Sequence, residues 1–399
     1  MKLSFRSTLA ACYLGYGSQA IVNNLGPLLF VTFHRVFGIG LSSLALLVSM
    51  NFAIQLLVDL AAVRFVDRIG YRAAALAAQA FCALGLFLLG FLPFLMGEPF
   101  HGLVIAVAVY AVGGGLLEVI VSPIVQALPA SNKSAAMSLL HSFYCWGFVA
   151  VVLLSSVFFA LIGIEHWRYL PMLWALLPLG NFFLFAVVPL RRLIEGEASA
   201  IPVRKLLTKK TFFLLVLMMV CAGASEQAMC QWASFFAEAG LQVSKTTGDL
   251  LGPCAFAVLM GLSRVYFGTR TEEVKLERIL LLSSVLCMAS YLVTVFSPWP
   301  LLSLSGCALC GLSVGIMWPG TFSMASRVFP LGGTAMFALL ALAGDAGCSL
   351  GPGLVGMVMS GSGFKTGILA AIVFPFLLAA GILLLSRSGD KPEPQNRTA

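Results

Sequence analysis

Glu118 stands alone as a charge inside GGGLLEVIVSP (113–123). Ser122 and Gln126 follow it at i+4 and i+8, and Gly114 and Gly115 lie one turn before it, so a helix here carries one small, polar face. A carboxyl in that setting has three uses: it exchanges a proton, it accepts hydrogen bonds from a solute's hydroxyls, or it makes a structural hydrogen bond. GASEQAMCQW (223–232) repeats the pattern with Glu226, Gln227, Cys230 and Gln231, and Ser234 extends the face. Gln19 and Asn23 form a comparable face in GSQAIVNN (17–24). His141 sits beside Ser138 and Ser142 in LLHSFYCWG (139–147), and Asp345 has Ser349 one turn on. Tyr144, Trp146, Trp232 and Trp318 offer flat apolar surfaces on which a ring can stack.

These groups need a scaffold, and composition supplies it. The chain has 399 residues, of which 60% are hydrophobic and 10% charged, with mean hydropathy +0.99. Soluble domains cannot hide so much apolar surface, so the chain reads as an all-α integral membrane protein. Apolar runs of at least the ~20 residues needed to cross a bilayer recur throughout. Twelve are expected, over 8–33, 41–65, 73–97, 101–128, 134–162, 168–190, 211–239, 248–268, 277–297, 300–326, 332–360 and 366–387. Their length and continuity favour helices over barrel strands. The first run is too long and too polar for a cleavable signal. An ionised acid at the centre of such a helix costs about 2.5–3.5 kcal/mol, so Glu118 is expected to face inward.

The formal charge of +8 sorts by side. With the first span starting in the cytoplasm, 20 of the 24 Lys and Arg residues fall at the cytoplasmic face, Arg264 at the end of the eighth span among them. Arg35, Arg168, Lys245 and Lys365 fall at the other. That asymmetry implies a plasma or inner membrane protein with both termini cytoplasmic. No basic tract interleaved with aromatics points to nucleic acid. The ten cysteines are scattered through the spans as small apolar residues. CALC (307–310) has metal spacing without a second Cys/His pair, so neither metal nor cofactor is expected. GLSVG (311–315) and GPGLVG (351–356) mimic the nucleophile-elbow and dinucleotide patterns but lack a strand–turn–helix setting, and read as close-packing glycines.

The chain repeats itself. SAAMSLL (134–140) recurs as GTAMFAL (333–339), GSQAIVNN aligns with SEQAMCQW, Gly115 and Pro123 match Gly311 and Pro319, and Arg64 matches Arg264. Six spans are repeated in parallel, the two halves being related by an axis along the membrane normal, which is the major facilitator architecture. The expected organisation is an N-terminal six-helix bundle (1–190), a cytoplasmic linker rich in Arg, Lys and Glu (191–210), a C-terminal six-helix bundle (211–387) and a polar cytoplasmic tail (388–399).

RFVDRIGYR (64–72) resembles the cytoplasmic loop motif of that superfamily, with Asp67, Arg68, Gly70 and Arg72 in register and Val63 in place of the first glycine. The resemblance implies a charge network that holds one conformation, involving Arg64 and also Asp59, which follows Asn51 and Gln55 on one face of the second span. GGGLLEVIVSP, LLHSFYCWG and GASEQAMCQW resemble the fucose permease branch of sugar–proton symporters. The acid that this branch carries on its first helix has no counterpart here, where Asn23 and Asn24 occupy the region. The likeness implies sugar binding and proton coupling at Glu118. The residues themselves make Glu226, His141 and Asp345 further candidates for proton coupling or substrate binding, and Gln19, Asn23, Ser122, Gln126, Tyr144, Gln227, Gln231, Trp232 and Trp318 candidate substrate contacts. The function expected is proton-coupled transport of a small polar solute, a sugar or related metabolite, by a monomer with no enzymatic activity. A proton-driven exporter on the same fold, or a transport-inactive sensor or scaffold, are the alternatives.

Overall fold

The computed structural model describes residues 4–128, 133–190, 203–270, 275–330 and 332–387. Most of the expected linker (191–202) and the tail 388–399 lie outside the described residues, as do a few side chains within helices, among them those of Arg64, Asp67, Gln126 and Ser138.

The described residues form helices and turns with no strands. The long helices are α1 (Phe5–Leu28), α2 (Leu41–Ile69), α3 (Tyr71–Phe91), α4 (Pro99–Ala127), α5 (Lys133–Ile162) and α6 (Tyr169–Val187). In the second half they are α7 (Lys210–Phe235), α8 (Ala255–Arg270), α9 (Leu276–Phe296), α10 (Pro300–Val328, interrupted near Gly315), α11 (Gly333–Ser362) and α12 (Phe364–Ser386). Among the described residues eleven stretches are long and apolar enough to cross a membrane; α1 is the long helix left out. At 24 residues α1 still spans about 36 Å. Its lower apolarity has a physical cause: from Ser18 to Leu28 every residue is buried against protein, so Gln19, Asn23 and Asn24 meet side chains instead of lipid.

Helix ends explain where the chain turns. Gly70 holds φ +83° between α2 and α3, a conformation other residues rarely adopt. Arg72, the second residue of α3, donates from Nη1 to Phe185 O (2.8 Å) and from Nη2 to Val188 O (2.8 Å), which satisfies carbonyls left open at the end of α6. Arg68 is exposed.

The two halves meet along three helix pairs: α2 with α11, α5 with α8, and α1 with α7. At the end away from the described termini, Arg35 pairs with Glu238 (2.9 Å), and Lys245 donates to Leu28 O (2.6 Å) while pairing with Asp249 (3.0 Å). Ser49 and Ser349 each donate to the other's carbonyl, at 3.0 and 2.9 Å. Within the second half, α7 and α11 cross so closely that a Cβ on Gly347 would run into the carbonyl of Val220. In the first half Gly115 plays that part, since a Cβ there would lie 2.9 Å from Gln55 O on α2. These two crossings set the depth at which Glu118, Glu226 and Asp345 stand.

Candidate functional site

Two clusters lie between the halves. The first is acidic: carboxylate oxygens of Asp59 (α2), Glu118 (α4) and Asp345 (α11) all lie within 4.8 Å of one another. Asp59 and Asp345 are 8% and 5% exposed, while Glu118 is half-buried. Gln19 Nε2 donates to Glu118 Oε2 at 2.9 Å, whereas Asp59 Oδ1 and Asp345 Oδ2 are buried with no hydrogen-bond partner among the described residues. An all-oxygen set of this size suits protons or a hard cation and offers nothing to a soft metal. Three ionised carboxylates at such spacing repel strongly, so an arrangement this tight calls for positive charge among them, from protons or a cation.

The second cluster is an ion pair. Arg264 Nη2 of α8 donates to Glu226 Oε2 of α7 at 2.9 Å, and Arg264 Nη1 reaches Cys145 Sγ of α5 at 3.5 Å. Gln227 Nε2 donates to Glu226 Oε1 at 3.2 Å, and Gln231 Nε2 donates to Gln227 Oε1 at 2.9 Å and to Asn23 O at 3.2 Å. Asn23 Oδ1 in turn accepts from Asn51 Nδ2 (3.0 Å) and Gln55 Nε2 (2.7 Å), so a continuous amide ladder joins α7, α1 and α2. Tyr144 accepts from Asn24 at 3.3 Å, Ser122 bonds Tyr16 at 3.1 Å, and the exposed His141 ring lies 5.5 Å from that of Tyr16.

Access to this lining is graded. Toward the end that bears the described termini, His141 is exposed and Glu118 and Arg264 are half-buried; toward the other end Asn23, Gln231 and Trp232 are buried.

Several expected residues stand elsewhere than their sequence context suggested. Asp59, expected in the loop network, has its carboxyl with Glu118 and Asp345. Arg264, counted with the loop cations, stands six residues before the end of α8 and turns its guanidinium into the bundle, toward Glu226. Trp232 is 0% exposed, packed on Phe30 and Phe235 with Nε1 donating to Pro352 O (3.0 Å), so its faces are not open to a solute in this structure. Trp318 packs over Gly344, next to Asp345. The side chain of Gln126 lies outside those described. CALC lies within α10, where Cys310 Sγ is 3.9 Å from Cys287 Sγ, a helix-packing contact between reduced thiols.

The family model of the Major Facilitator Superfamily matches residues 9–352. The chain belongs to that superfamily. It is therefore a multi-pass membrane transporter, not an enzyme. No curated protein is similar enough in sequence to match. Among solved structures the chain is similar to a bacterial homologue of the human lysosomal transporter Spinster in an inward-facing and occupied conformation, with TM-score 0.79, 15% identity, and coverage of 97% of this chain and 98% of the other. It is also similar to a D-xylose–proton symporter (TM-score 0.77, 13% identity, 98% and 100% covered). A third is the E. coli fucose:proton symporter (TM-score 0.64, 16% identity, 97% and 100% covered). At these identities the likeness carries the fold, with six helices in each half, and not the cargo.

Proposed function

We propose that this superfamily member is a proton-coupled secondary transporter of a small polar solute, a sugar or related metabolite, working by alternating access. The observation that carries the reading is the acidic trio, because Asp59 and Glu118 belong to one half and Asp345 to the other. Proton occupancy of that cluster changes the electrostatic cost of holding the halves together, which is what a coupling site must do. Glu118 is the member with both partial exposure and a neutral hydrogen-bond donor, Gln19, so it is the entry point for the proton. The amide ladder through Gln227, Gln231 and Asn23 supplies donors and acceptors for hydroxyls. The driving force suffices: one charge crossing 100 mV supplies about 2.3 kcal/mol, and one pH unit about 1.4 more. Together they sustain an accumulation of roughly a few hundred-fold.

With both termini cytoplasmic in a plasma or inner membrane, as the positive-inside asymmetry supports, the graded access corresponds to a site open to the cytoplasm. The solved relatives that transport sugars with protons favour the same class of cargo by analogy alone.

The test is thermal stabilisation of the detergent-purified chain by sugars, sugar acids, amino acids and lipophilic cations, followed by proton flux in proteoliposomes with the class that binds. A ligand at 100 times its Kd stabilises by about 2.7 kcal/mol. Stabilisation by a polar solute that also drives proton entry supports the reading. Stabilisation by lipophilic cations alone replaces it with the exporter.

A further inference from the structure

We infer that the solute is an anion, and that its carboxylate or phosphate takes the place at Arg264 which Glu226 holds in this structure. The inference rests on the transporter reading above and narrows its cargo from small polar solutes to small hydroxylated acids or phosphate esters.

The first argument is unused hydrogen-bonding capacity. A guanidinium presents five N–H donors in a fixed fork that matches an oxyanion at two points. Here Glu226 takes it at one point only, through Oε2, and the second contact is a thiol at 3.5 Å, a weak acceptor. Arg264 Nε is buried with no partner among the described residues. A ligand oxyanion fills the fork; a neutral hydroxyl does not.

The second argument is position. Arg264 bridges the halves, from α8 to Cys145 on α5, and its side chain is 18% exposed on the side where His141 is open. A cation kept only to close loops would stand beyond the helix end, and the amide ladder already serves hydroxyl groups without any charge.

The third argument is charge. A lone guanidinium at this depth is expensive, so an empty site needs an internal counter-ion, and Glu226 is placed to serve as one. On displacement Glu226 keeps the Gln227 amide at 3.2 Å as a donor, so it is not left unpartnered. A monoanionic ligand together with Glu226 and Arg264 leaves one net negative charge. A proton entering with the ligand restores neutrality, which ties binding to symport. The titratable or charged groups that face Glu226 are Arg264 of α8, Tyr144 and Cys145 of α5, Cys230 of α7 and Cys348 of α11. Tyr291 of α9 packs behind it on Ser225 O (3.0 Å).

The experiment uses matched pairs on the purified full chain: gluconate against glucose, and glycerol 3-phosphate against glycerol, read as shifts in Tm. At least one anion is expected to stabilise the wild type while its neutral partner at equal concentration does not; which pair responds separates carboxylate from phosphate. Arg264→Lys keeps the charge and loses the fork, and should weaken the responding anion at least about tenfold. Arg264→Gln with Glu226→Gln removes both charges, avoids an unpaired buried carboxylate, and should abolish the response. The inference is overturned if neither anion stabilises the wild type, or if the double variant responds as the wild type does. If in addition a neutral member stabilises and drives proton entry, the transporter reading stands without the anion; if no solute drives proton movement, both fall.

Discussion

Asp59 on α2 and Asp345 on α11 bring buried carboxyls within 4.8 Å of each other across the boundary between the two halves, with Glu118 beside both. The residues come from opposite bundles, so any change in their protonation is felt as a change in attraction between those bundles. Asp345→Asn replaces one carboxyl with a group that donates a hydrogen bond without needing a proton. The variant is expected to keep or gain stability, by about 0.5–1.5 kcal/mol for one satisfied pair, while losing most of its uptake because the halves no longer separate on deprotonation. Melting temperature and uptake measured on the same preparation check this. A variant that loses stability and keeps its transport rate would refute it.

Glu118→Gln tests the coupling role separately from the binding role. Gln19 remains a hydrogen-bond partner for the new amide, so the fold should tolerate the change. Solute exchange between two populations of equal pH should survive, while accumulation driven by a pH gradient should collapse from a few hundred-fold toward unity. Normal accumulation with an unaltered response to the gradient would remove Glu118 from the coupling scheme.

The fold and the acids of this site were legible to different degrees, for identifiable reasons. Apolar runs longer than a bilayer and an internal repeat give the helices and the two halves directly. Glu118 and Glu226 are visible because each interrupts an apolar run with a charge. Asp59 reads with the loop because Arg64 follows five residues later in the chain, yet helix depth, not chain proximity, decides which acids meet. Arg264 counts with the loop cations in the sequence because it stands four residues before the expected end of its span, at 268, whereas the structure turns its guanidinium inward to Glu226. No periodicity in a single helix reveals that Trp232 closes against Phe30 of the other half, since that contact depends on how the bundles lean.

The Arg264–Glu226 pair makes a prediction about stability that is independent of any ligand. Removing Arg264 alone leaves the buried Glu226 carboxylate without its counter-ion, with only the Gln227 amide donating to it, a loss of about 3–5 kcal/mol. Removing both charges, as in Arg264→Gln with Glu226→Gln, should recover most of that loss, because a buried pair often contributes little beyond its own desolvation. A double-mutant cycle on thermal unfolding in detergent measures the coupling directly. Simple additivity of the two single losses would show that the pair is not a closed electrostatic unit.

Ser49 of α2 and Ser349 of α11 donate to each other's backbone carbonyls, at 3.0 and 2.9 Å, and Gly353 leaves room beside them, since a Cβ there would lie 2.6 Å from Ser49 Oγ. Among the described residues this is a reciprocal link between the halves in the part of α2 nearer the closed end, and alternating access requires it to break once per cycle. Replacing both residues, Ser49→Cys with Ser349→Cys, in a background stripped of the ten native cysteines, places two thiols on the backbones that these bonds hold together. Oxidation should join α2 to α11 and stop uptake, and a reductant should restore it. Binding from the end that bears the termini should persist in the oxidised protein, because His141, Glu118 and Arg264 stay accessible there while the opposite end is held shut. Measuring ligand-induced stabilisation and uptake side by side separates the two effects. Full transport in the cross-linked protein would mean that α2 and α11 do not part at this depth, and the rocking motion would have to be placed elsewhere in the bundle.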